Sequence, residues 1–181
     1  QLDGTTVTLL DPQASIDLGG IAKGYIADRL RDYLVSEGCD SALINLGGNI
    51  LTVGAKPDGS AFRVGIRKPF SESDKQLETV VCKDRSVVTS GTYERYFEQD
   101  GKRYHHILNP ADGYPIENGL ASVTILSPAS TDADALSTAC FVLGPEKGLE
   151  LIETLDGIEA LFVTDELEEI ASSGFTAYTI S

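Results

Sequence analysis

Short runs of β-branched residues alternate with helix-like segments along the whole chain, and this alternation most limits the fold it can adopt. Apolar residues at every second position predict half-buried strands, whereas recurrence at every third and fourth position predicts amphipathic helices. The sequence contains no internal repeat and no low-complexity tract. The pattern therefore predicts an α+β fold, with mixed or antiparallel sheets packed against helices, in a single domain over residues 1–181.

Three segments carry the helical pattern. Apolar residues recur at helical spacing from Ile21 until Gly38, and two further helices are predicted over Thr131–Leu143 and Glu146–Leu155, divided by a Gly-Pro pair. The Asp100-Gly101 pair predicts a β-hairpin because both residues tolerate a positive φ. Other strands are predicted in the runs TTVTLLD, SALINLGGNILTVGA, AFRVGIRKPF, ETVVCKD, SVVTSG, SVTILSP, EALFVTD and FTAYTI.

Charge and composition exclude several classes of protein. The chain has 14 Lys and Arg against 28 Asp and Glu, a formal charge of −14, which argues against a nucleic-acid partner. The longest uncharged stretch, Ser41 to Ala55, has 15 residues and is too short for the ~20 that a membrane-spanning helix needs. Three widely spaced cysteines, Cys39, Cys82 and Cys140, favour inert thiols over a disulfide framework or a zinc site.

A glycine pair joins a predicted strand to the first predicted helix. In the segment Asp17–Gly24, Gly19 and Gly20 would leave free N–H groups at a helix N-terminus, with Lys23 in the first turn. Such a terminus can hold phosphate, although the segment matches neither common nucleotide-binding glycine motif and a tight structural turn is the alternative. A second glycine pair, in Asn45–Asn49, predicts either a ligand-approach site or a simple turn between strands.

Asp134 and Thr138 lie four residues apart in a predicted helix and therefore share one face. A carboxylate and a hydroxyl are hard oxygen ligands that suit Mg²⁺ or Ca²⁺, particularly beside a substrate phosphate. The alternative is a capping box in which Thr131 is the N-cap and Asp134 its partner at the third helical position.

The only two histidines, His105 and His106, are adjacent on a predicted strand. Neighbouring strand residues point to opposite faces, so at most one of them faces a given pocket. A histidine is the best general acid or base in this sequence, although a structural role is the alternative. Ser90 and Gly91 follow another predicted strand, where they would contact a ligand or shape a turn.

In this order, the motifs resemble the ApbE family of flavin transferases. The resemblance rests on the blocks DLGGIAKGYIAD (Asp17–Asp28), NLGGN (Asn45–Asn49), TSGTYERYF (Thr89–Phe97), GKRYHHILNPADGYPI (Gly101–Ile116) and STDADALSTACFVLG (Ser130–Gly144). It implies an ApbE-like, T-fold-related architecture. The family also carries a further N-terminal region, and this chain lacks a starting Met and a signal peptide, so we expect part of the gene product to lie outside it.

The resemblance implies transfer of the FMN part of FAD to a Thr or Ser hydroxyl of an acceptor flavoprotein, with Mg²⁺ as the metal and AMP as the product. The alternatives are an FAD pyrophosphatase that yields FMN and AMP, and a non-catalytic FAD-binding protein. It further implies an extracytoplasmic location, as a membrane-anchored lipoprotein in the full-length form.

The resemblance also assigns roles to individual residues. Asp134 and Thr138 would supply metal oxygens, with the backbone carbonyl of Gly20 as a further ligand. His106 would be the catalytic histidine. The residues that would contact or line the FAD site are Asp17, Lys23, Ile107, Asn45, Gly48, Ser90 and Gly91.

Overall fold

Antiparallel strands and α-helices form the parts of the chain that the computed structural model describes, residues 1–71, 75–93 and 95–180 without the side chains of Lys102 and Arg103. Glu94, inside the predicted Thr89–Phe97 motif, lies outside the described residues. The elements are, in order, β1 (Leu2–Asp3), β2 (Thr6–Val7), α1 (Ala22–Ser36), β3 (Ser41–Asn45), β4 (Asn49–Gly54), β5 (Phe62–Arg67), β6 (Gln76–Cys82), β7 (Ser86–Gly91), β8 (Tyr96–Gln99), β9 (Lys102–His105), β10 (Leu120–Ser127), α2 (Ser130–Leu143), α3 (Pro145–Glu153), β11 (Glu159–Thr164), β12 (Glu169–Ala171) and a 3-10 helix (Phe175–Tyr178).

A six-stranded sheet in the order β12-β11-β10-β7-β4-β3 forms the centre of the fold. Each of its neighbouring pairs is antiparallel, as are the smaller hairpins β1–β2, β5–β6 and β8–β9. The prediction of an α+β fold with antiparallel sheets and packed helices is therefore confirmed. The three predicted helices are also present, with boundaries within two residues of those expected.

The two faces of the central sheet carry different layers because side chains alternate along each strand. On β7, Val88 packs in one core with residues of α2 and α3, whereas Val87 packs in a second core with residues of β5 and β6. The first helix covers β3 and β4 through a third cluster that includes Ala27 and Leu51. All three helices thus lie on one face of the sheet, and the β5–β6 hairpin lies on the other.

Two hairpins turn through residue pairs with positive φ. The turn between β3 and β4 consists of Gly47 (φ 63°) and Gly48 (φ 89°), closed by a 2.9 Å bond from Leu46 N–H to Asn49 O. The β8–β9 turn consists of Asp100 (φ 53°) and Gly101 (φ 75°). Positive φ at both central positions is typical of type I′ turns, so both glycine motifs form tight strand connections. The hairpin predicted at Asp100-Gly101 is confirmed.

One predicted strand and the capping-box alternative at Thr131 are wrong. Within the predicted strand FTAYTI, Phe175–Tyr178 form a 3-10 helix, and Thr179 forms only an isolated β-bridge with Val80. Phe175 and Tyr178 both pack into the core on the β5–β6 face, and an extended strand would point residues three apart to opposite faces. Thr131 is not the N-cap of α2 either, because that helix begins at Ser130 and Ala129 occupies the N-cap without a side-chain bond.

The cysteines are free thiols, as predicted, and all three belong to the described residues. Cys82 and Cys140 are buried, and burial raises the pKa of Cys140 to about 11. Within the described ranges, no helix has both the length and the apolar character needed to cross a membrane.

Candidate functional site

Gly24 is the point of closest approach between α1 and α2. Its N–H donates to Asp134 Oδ2 at 2.8 Å in a buried contact between residues 110 positions apart. A Cβ added to Gly24 would lie 2.2 Å from the carbonyl oxygen of Ser130, so only glycine fits there. The bond engages one carboxylate oxygen and leaves Asp134 Oδ1 as a possible ligand. Asp134 is therefore held by α1 instead of serving as the capping-box partner of Thr131.

Ser90 and Gly20 lie beside Thr138, one helical turn after Asp134. Ser90 Oγ of β7 lies 2.8 Å from Ser137 Oγ and 3.3 Å from Thr138 Oγ1. A Cβ built on Gly20 would lie 3.5 Å from Thr138 Oγ1, so the loop before α1 passes directly beside this hydroxyl. The structure thus brings Gly20, Ser90 and Thr138 together from three separate segments.

The oxygens of Gly20, Asp134 and Thr138 fit a hard cation. A carbonyl, a carboxylate and a hydroxyl belong to the ligand types that Mg²⁺ accepts, and Mg²⁺ commonly completes its shell with water and substrate phosphates. Among the described residues, no three His, Cys, Asp or Glu side chains come together. This arrangement therefore suits a cation held by one carboxylate and by neutral oxygens, and does not suit a site of the zinc type.

Asp28 supplies the cap that the start of α2 lacks. Its Oδ1 accepts the N–H of Ser130 at 2.9 Å, and its Oδ2 accepts the N–H and the hydroxyl of Thr131 at 2.8 Å and 2.6 Å. Arg31 pairs with Asp28 Oδ1 at 3.2 Å and also donates to Pro128 O at 3.2 Å. The N-terminus of α2 is thus satisfied by α1.

The Asp17–Gly20 loop leads into α1 through an Asx-type turn. Asp17 Oδ1 accepts the N–H of Gly19 at 2.6 Å, and Leu18 O accepts the N–H groups of Ile21 and Ala22. Lys23 follows in the first helical turn and forms no ion pair within the described residues. A cation at a helix start, beside two glycines, can attract a phosphate.

His105 and His106 have different surroundings, as their alternation along the strand predicts. His105 is 8% exposed; its Nδ1 accepts the N–H of Ile107 at 3.3 Å, which leaves its proton on Nε2 to donate to Ile116 O at 3.0 Å. Its ring also lies edge-on to Phe141. His106 is exposed and follows the end of β9. His105 is therefore a structural histidine, and His106 is the one that a substrate can reach.

The surroundings of His106 determine which of its ring nitrogens can accept a proton and lower its pKa. Its Nδ1 lies 3.2 Å from Arg95 O, and because a carbonyl only accepts, Nδ1 donates and Nε2 keeps its lone pair. Partial burial lowers the pKa of His106 from its usual value near 6.5, and the nearby charges of Arg95, His105 and Lys23 lower it further, while the Arg95 hydrogen bond opposes the change.

Two other residues that were predicted to line the FAD site border a cavity. Asn45 and Gly48 line a cavity of about 310 Å³ with Arg67, Thr89 and Tyr93, on the β5–β6 side of the sheet. Asp134 and Thr138 lie on the helix side of the sheet, where Ser90, the neighbour of Thr89 on β7, contacts Thr138.

Ile107 and Gly91 are both buried and leave little exposed surface for a ligand. Ile107 is 4% exposed and packs in the core on the helix face. Gly91 lies beneath the ring of Tyr93, with its Cβ position 2.8 Å from Tyr93 Cε1.

Sequence reasoning missed Gly24, Asp28 and Ser137 as parts of the site. A glycine within a predicted helix was the available signal for Gly24, because such residues usually have a packing reason. Nothing local identifies Asp28 as the cap of α2, because Ser130 and Thr131 lie more than 100 residues away. A second cavity, of about 510 Å³ and lined in part by His105, Asn118 and Asp165, was also unexpected.

Comparison with known proteins relates this chain to one family. A family model described as the ApbE family matches residues 1–162. A relative from Klebsiella pneumoniae (strain 342), named FAD:protein FMN transferase, is 50% identical over 174 residues, which are 95% of this chain and 53% of the relative. A relative of the same name from Treponema pallidum (strain Nichols) is 46% identical over 93% of this chain and 49% of its own length.

A solved structure agrees with these relatives. The structure named Flavin Transferase ApbE from Vibrio cholerae superimposes with a TM-score of 0.84 at 36% identity, over 98% of this chain and 57% of that one. This chain therefore spans about half the length of the proteins that it matches.

Proposed function

This chain belongs to the ApbE family, and from that membership we propose that the full-length protein is a flavin transferase. It moves the FMN part of FAD to a Thr or Ser hydroxyl of an acceptor flavoprotein and releases AMP. The observation that carries the proposal is the α1–α2 junction, where Gly20 lies beside the Thr138 hydroxyl and Gly24 bonds to Asp134.

Gly20, Asp134 and Thr138 would hold Mg²⁺ beside the FAD diphosphate. When bound, the cation supplies charge neutralisation for the diphosphate and for the departing phosphate of AMP. The Gly24 bond keeps Asp134 in place, and Ser90 keeps the Thr138 hydroxyl in place, so neither side chain must be reoriented when the diphosphate binds.

Lys23 and the Asp17–Gly20 loop would receive the remaining diphosphate charge. A chain of net charge −14 must offset a bound anion locally. Lys23 does this with its ammonium, while Asp17 shapes the loop by accepting the Gly19 N–H. Asn45, Gly48, Ser90, Gly91 and Ile107 complete the set of residues that we propose to border FAD.

His106 would accept the proton of the acceptor hydroxyl through Nε2. The hydroxyl oxygen attacks the phosphorus of the FMN phosphate, a P–O bond to Thr or Ser forms, and the P–O bond to AMP breaks. Because the pKa of His106 is lowered, its ring is predominantly neutral near pH 7 and can take the proton. The exposed position of His106 leaves room for a protein substrate to approach.

The test is to mix the full-length protein with FAD, Mg²⁺ and an acceptor flavoprotein. We expect a fluorescent acceptor band on a denaturing gel, together with AMP in stoichiometric amount. Free FMN and AMP without labelled acceptor would indicate the pyrophosphatase alternative. Bound but unaltered FAD would indicate a non-catalytic flavin-binding protein.

A matched pair of variants tests the cation site in the same assay. Asp134→Asn removes the ligand charge and should abolish labelling at Mg²⁺ concentrations that saturate the parent. Asp132→Asn removes the same charge from an exposed position on the same helix and should label normally. Equal labelling by the two variants would contradict the role of Asp134.

We also propose an extracytoplasmic location with a lipoprotein anchor in the full-length protein. Only membership in the ApbE family supports this part. Fractionation of cells, followed by mass analysis of the mature N-terminus, would test it; a cytoplasmic protein without lipid would contradict it.

A further inference from the structure

Asp28 connects the two helices that carry the proposed cation site. It is only 8% exposed, and it accepts bonds from the backbone of Ser130 and from both the backbone and the hydroxyl of Thr131. Its charge also lies at the N-terminus of α2, where the helix dipole favours an anion. Since Ala129 provides no local cap, the start of α2 depends on this carboxylate.

Three contacts between the helices follow one antiparallel register. Gly20 lies beside Thr138, Gly24 bonds to Asp134, and Asp28 bonds to Ser130. Each step of four residues forward along the α1 segment is matched by a step of four residues back along α2. The contacts therefore lie along a single line, spaced by one helical turn.

The register matters because the proposed cation ligands come from both sides of this line. Gly20 belongs to the loop before α1, whereas Asp134 and Thr138 belong to α2. A slide of α1 by one residue, about 1.5 Å, would break a 2.8 Å hydrogen bond at Gly24 and move Gly20 away from Thr138.

We propose that Asp28 is a positioning residue that fixes the register of α1 on α2 and thereby assembles the Gly20, Asp134 and Thr138 oxygens. Arg31 supports it by pairing with Asp28 and by donating to Pro128 O in the turn before α2. The inference rests on the proposed function in one respect, which is that these oxygens hold a divalent cation.

The test compares Asp28→Asn with Asp32→Asn in the full-length protein. Asn at position 28 would keep one acceptor oxygen but would turn an NH₂ group toward donors of Ser130 or Thr131. Asp32 lies one turn later on α1, is exposed, and pairs only with Arg29 and Arg31 in the described structure. Its substitution removes the same charge without touching α2.

Binding of Mn²⁺, used as a spectroscopic probe for Mg²⁺, is measured without FAD or acceptor. We expect Asp28→Asn to raise the Mn²⁺ dissociation constant by about 10-fold to 100-fold, the range typical of residues that orient metal ligands. Asp32→Asn should change it by less than about twofold, as for an exposed ion pair. Hydrogen exchange of the Gly24 amide should accelerate in Asp28→Asn alone. Unchanged Mn²⁺ affinity and unchanged Gly24 exchange in folded Asp28→Asn would overturn the proposal.

Thr131→Val is the milder variant if Asp28→Asn does not fold. It removes one of the donors to Asp28 and should weaken Mn²⁺ binding in the same direction while the protein stays folded; parental affinity would count against the proposal. A parent that binds no Mn²⁺ would overturn both the cation site and this inference. A parent that binds Mn²⁺ but transfers no flavin would overturn the proposed function alone.

Discussion

The two halves of the candidate site differ in how firmly they are held. At the α1–α2 junction, Asp134 is 3% exposed and Asp28 is 8% exposed, and both bond directly to the opposite helix. His106 is exposed, and its Nδ1 lies 3.2 Å from Arg95 O. The half that would hold the cation is preorganised, while the half that would meet the acceptor is open.

The difference agrees with what each half would bind under the proposed function. Oxygens that neutralise phosphate charge work best when fixed in advance, because reorganisation then costs nothing during the reaction. A base that serves a protein substrate must be reachable from solvent. The β8–β9 hairpin that precedes His106 pairs with no other strand in the described ranges, which leaves that side accessible.

The largest effect should come from His106→Ala in the exposed half. Loss of a general base typically slows a reaction by about 10²–10⁴-fold. The unfolding free energy should change by less than about 0.5 kcal/mol, because the side chain is on the surface. Single-turnover flavin transfer and denaturant unfolding measure the two effects. Parental transfer with normal FAD binding would show that His106 is not the base.

His105→Asn, at the other histidine of the pair, is compared with His106→Ala. His105 is buried and bonded at both ring nitrogens, so its substitution should lower the unfolding free energy by about 1–3 kcal/mol. Its effect on the transfer rate of the folded fraction should be smaller than that of His106→Ala. The reverse pattern would assign the chemistry to His105.

Gly24→Ala should have the next largest effect, in the buried half. The added methyl would meet Ser130 O at 2.2 Å and force the helices apart, at a cost of about 3 kcal/mol in unfolding free energy. Gly59→Ala is the matched control, since nothing lies within 4 Å of its Cβ position and its φ of 82° costs about 1 kcal/mol. Denaturant unfolding of both variants checks the difference, and equal losses would contradict the close helix contact.

Ser90→Ala should have a smaller effect on the same half. The change removes the hydroxyl that lies 2.8 Å from Ser137 Oγ and 3.3 Å from Thr138 Oγ1. We expect Mg²⁺ to bind about fivefold more weakly, which corresponds to about 1 kcal/mol, the usual net worth of a hydrogen bond. Calorimetric titration with Mg²⁺ measures it, and Thr89→Ala, on the other face of β7, is the control. Equal affinities in the two variants would show that Ser90 does not orient Thr138.

The smallest expected effect is a shift in the pH dependence of the transfer rate, which links the two halves of the candidate site. His106 must be neutral to accept a proton, so the transfer rate should fall as pH drops through its lowered pKa, below 6.5. Lys23→Met removes a cation that lowers this pKa, and the acid limb should move to higher pH by less than about one unit. Single-turnover rates at saturating FAD, measured from pH 5 to 8, test the shift. A limb that stays in place or moves to lower pH would contradict the effect of Lys23 on the pKa of His106.

The same pKa has a consequence for stability. Between the lowered pKa of folded His106 and its usual value near 6.5, the unfolded chain binds more protons than the folded one. The stability that the neutral ring of His106 contributes is therefore present above this pH range and is lost as the pH falls through the range.

Much of the fold was predictable because its signals are local. Strand and helix periodicity, the Asp100-Gly101 turn and the opposite surroundings of His105 and His106 depend on residues close in sequence. The wrong assignments fail for tertiary reasons. Phe175–Tyr178 form a 3-10 helix, which lets Phe175 and Tyr178 reach one core. The single-domain organisation over residues 1–181 and the roles of the site residues stay predictions.

Residue spacing alone is enough to place Asp134 and Thr138 on one helix face and to put glycines before α1. The bond from Gly24 to Asp134 and the cap that Asp28 provides for α2 come from packing, because these contacts join residues 110 and 102 positions apart. A hydrogen-bonding pattern within one helix depends on local spacing, whereas the register between two helices depends on packing that no local pattern encodes.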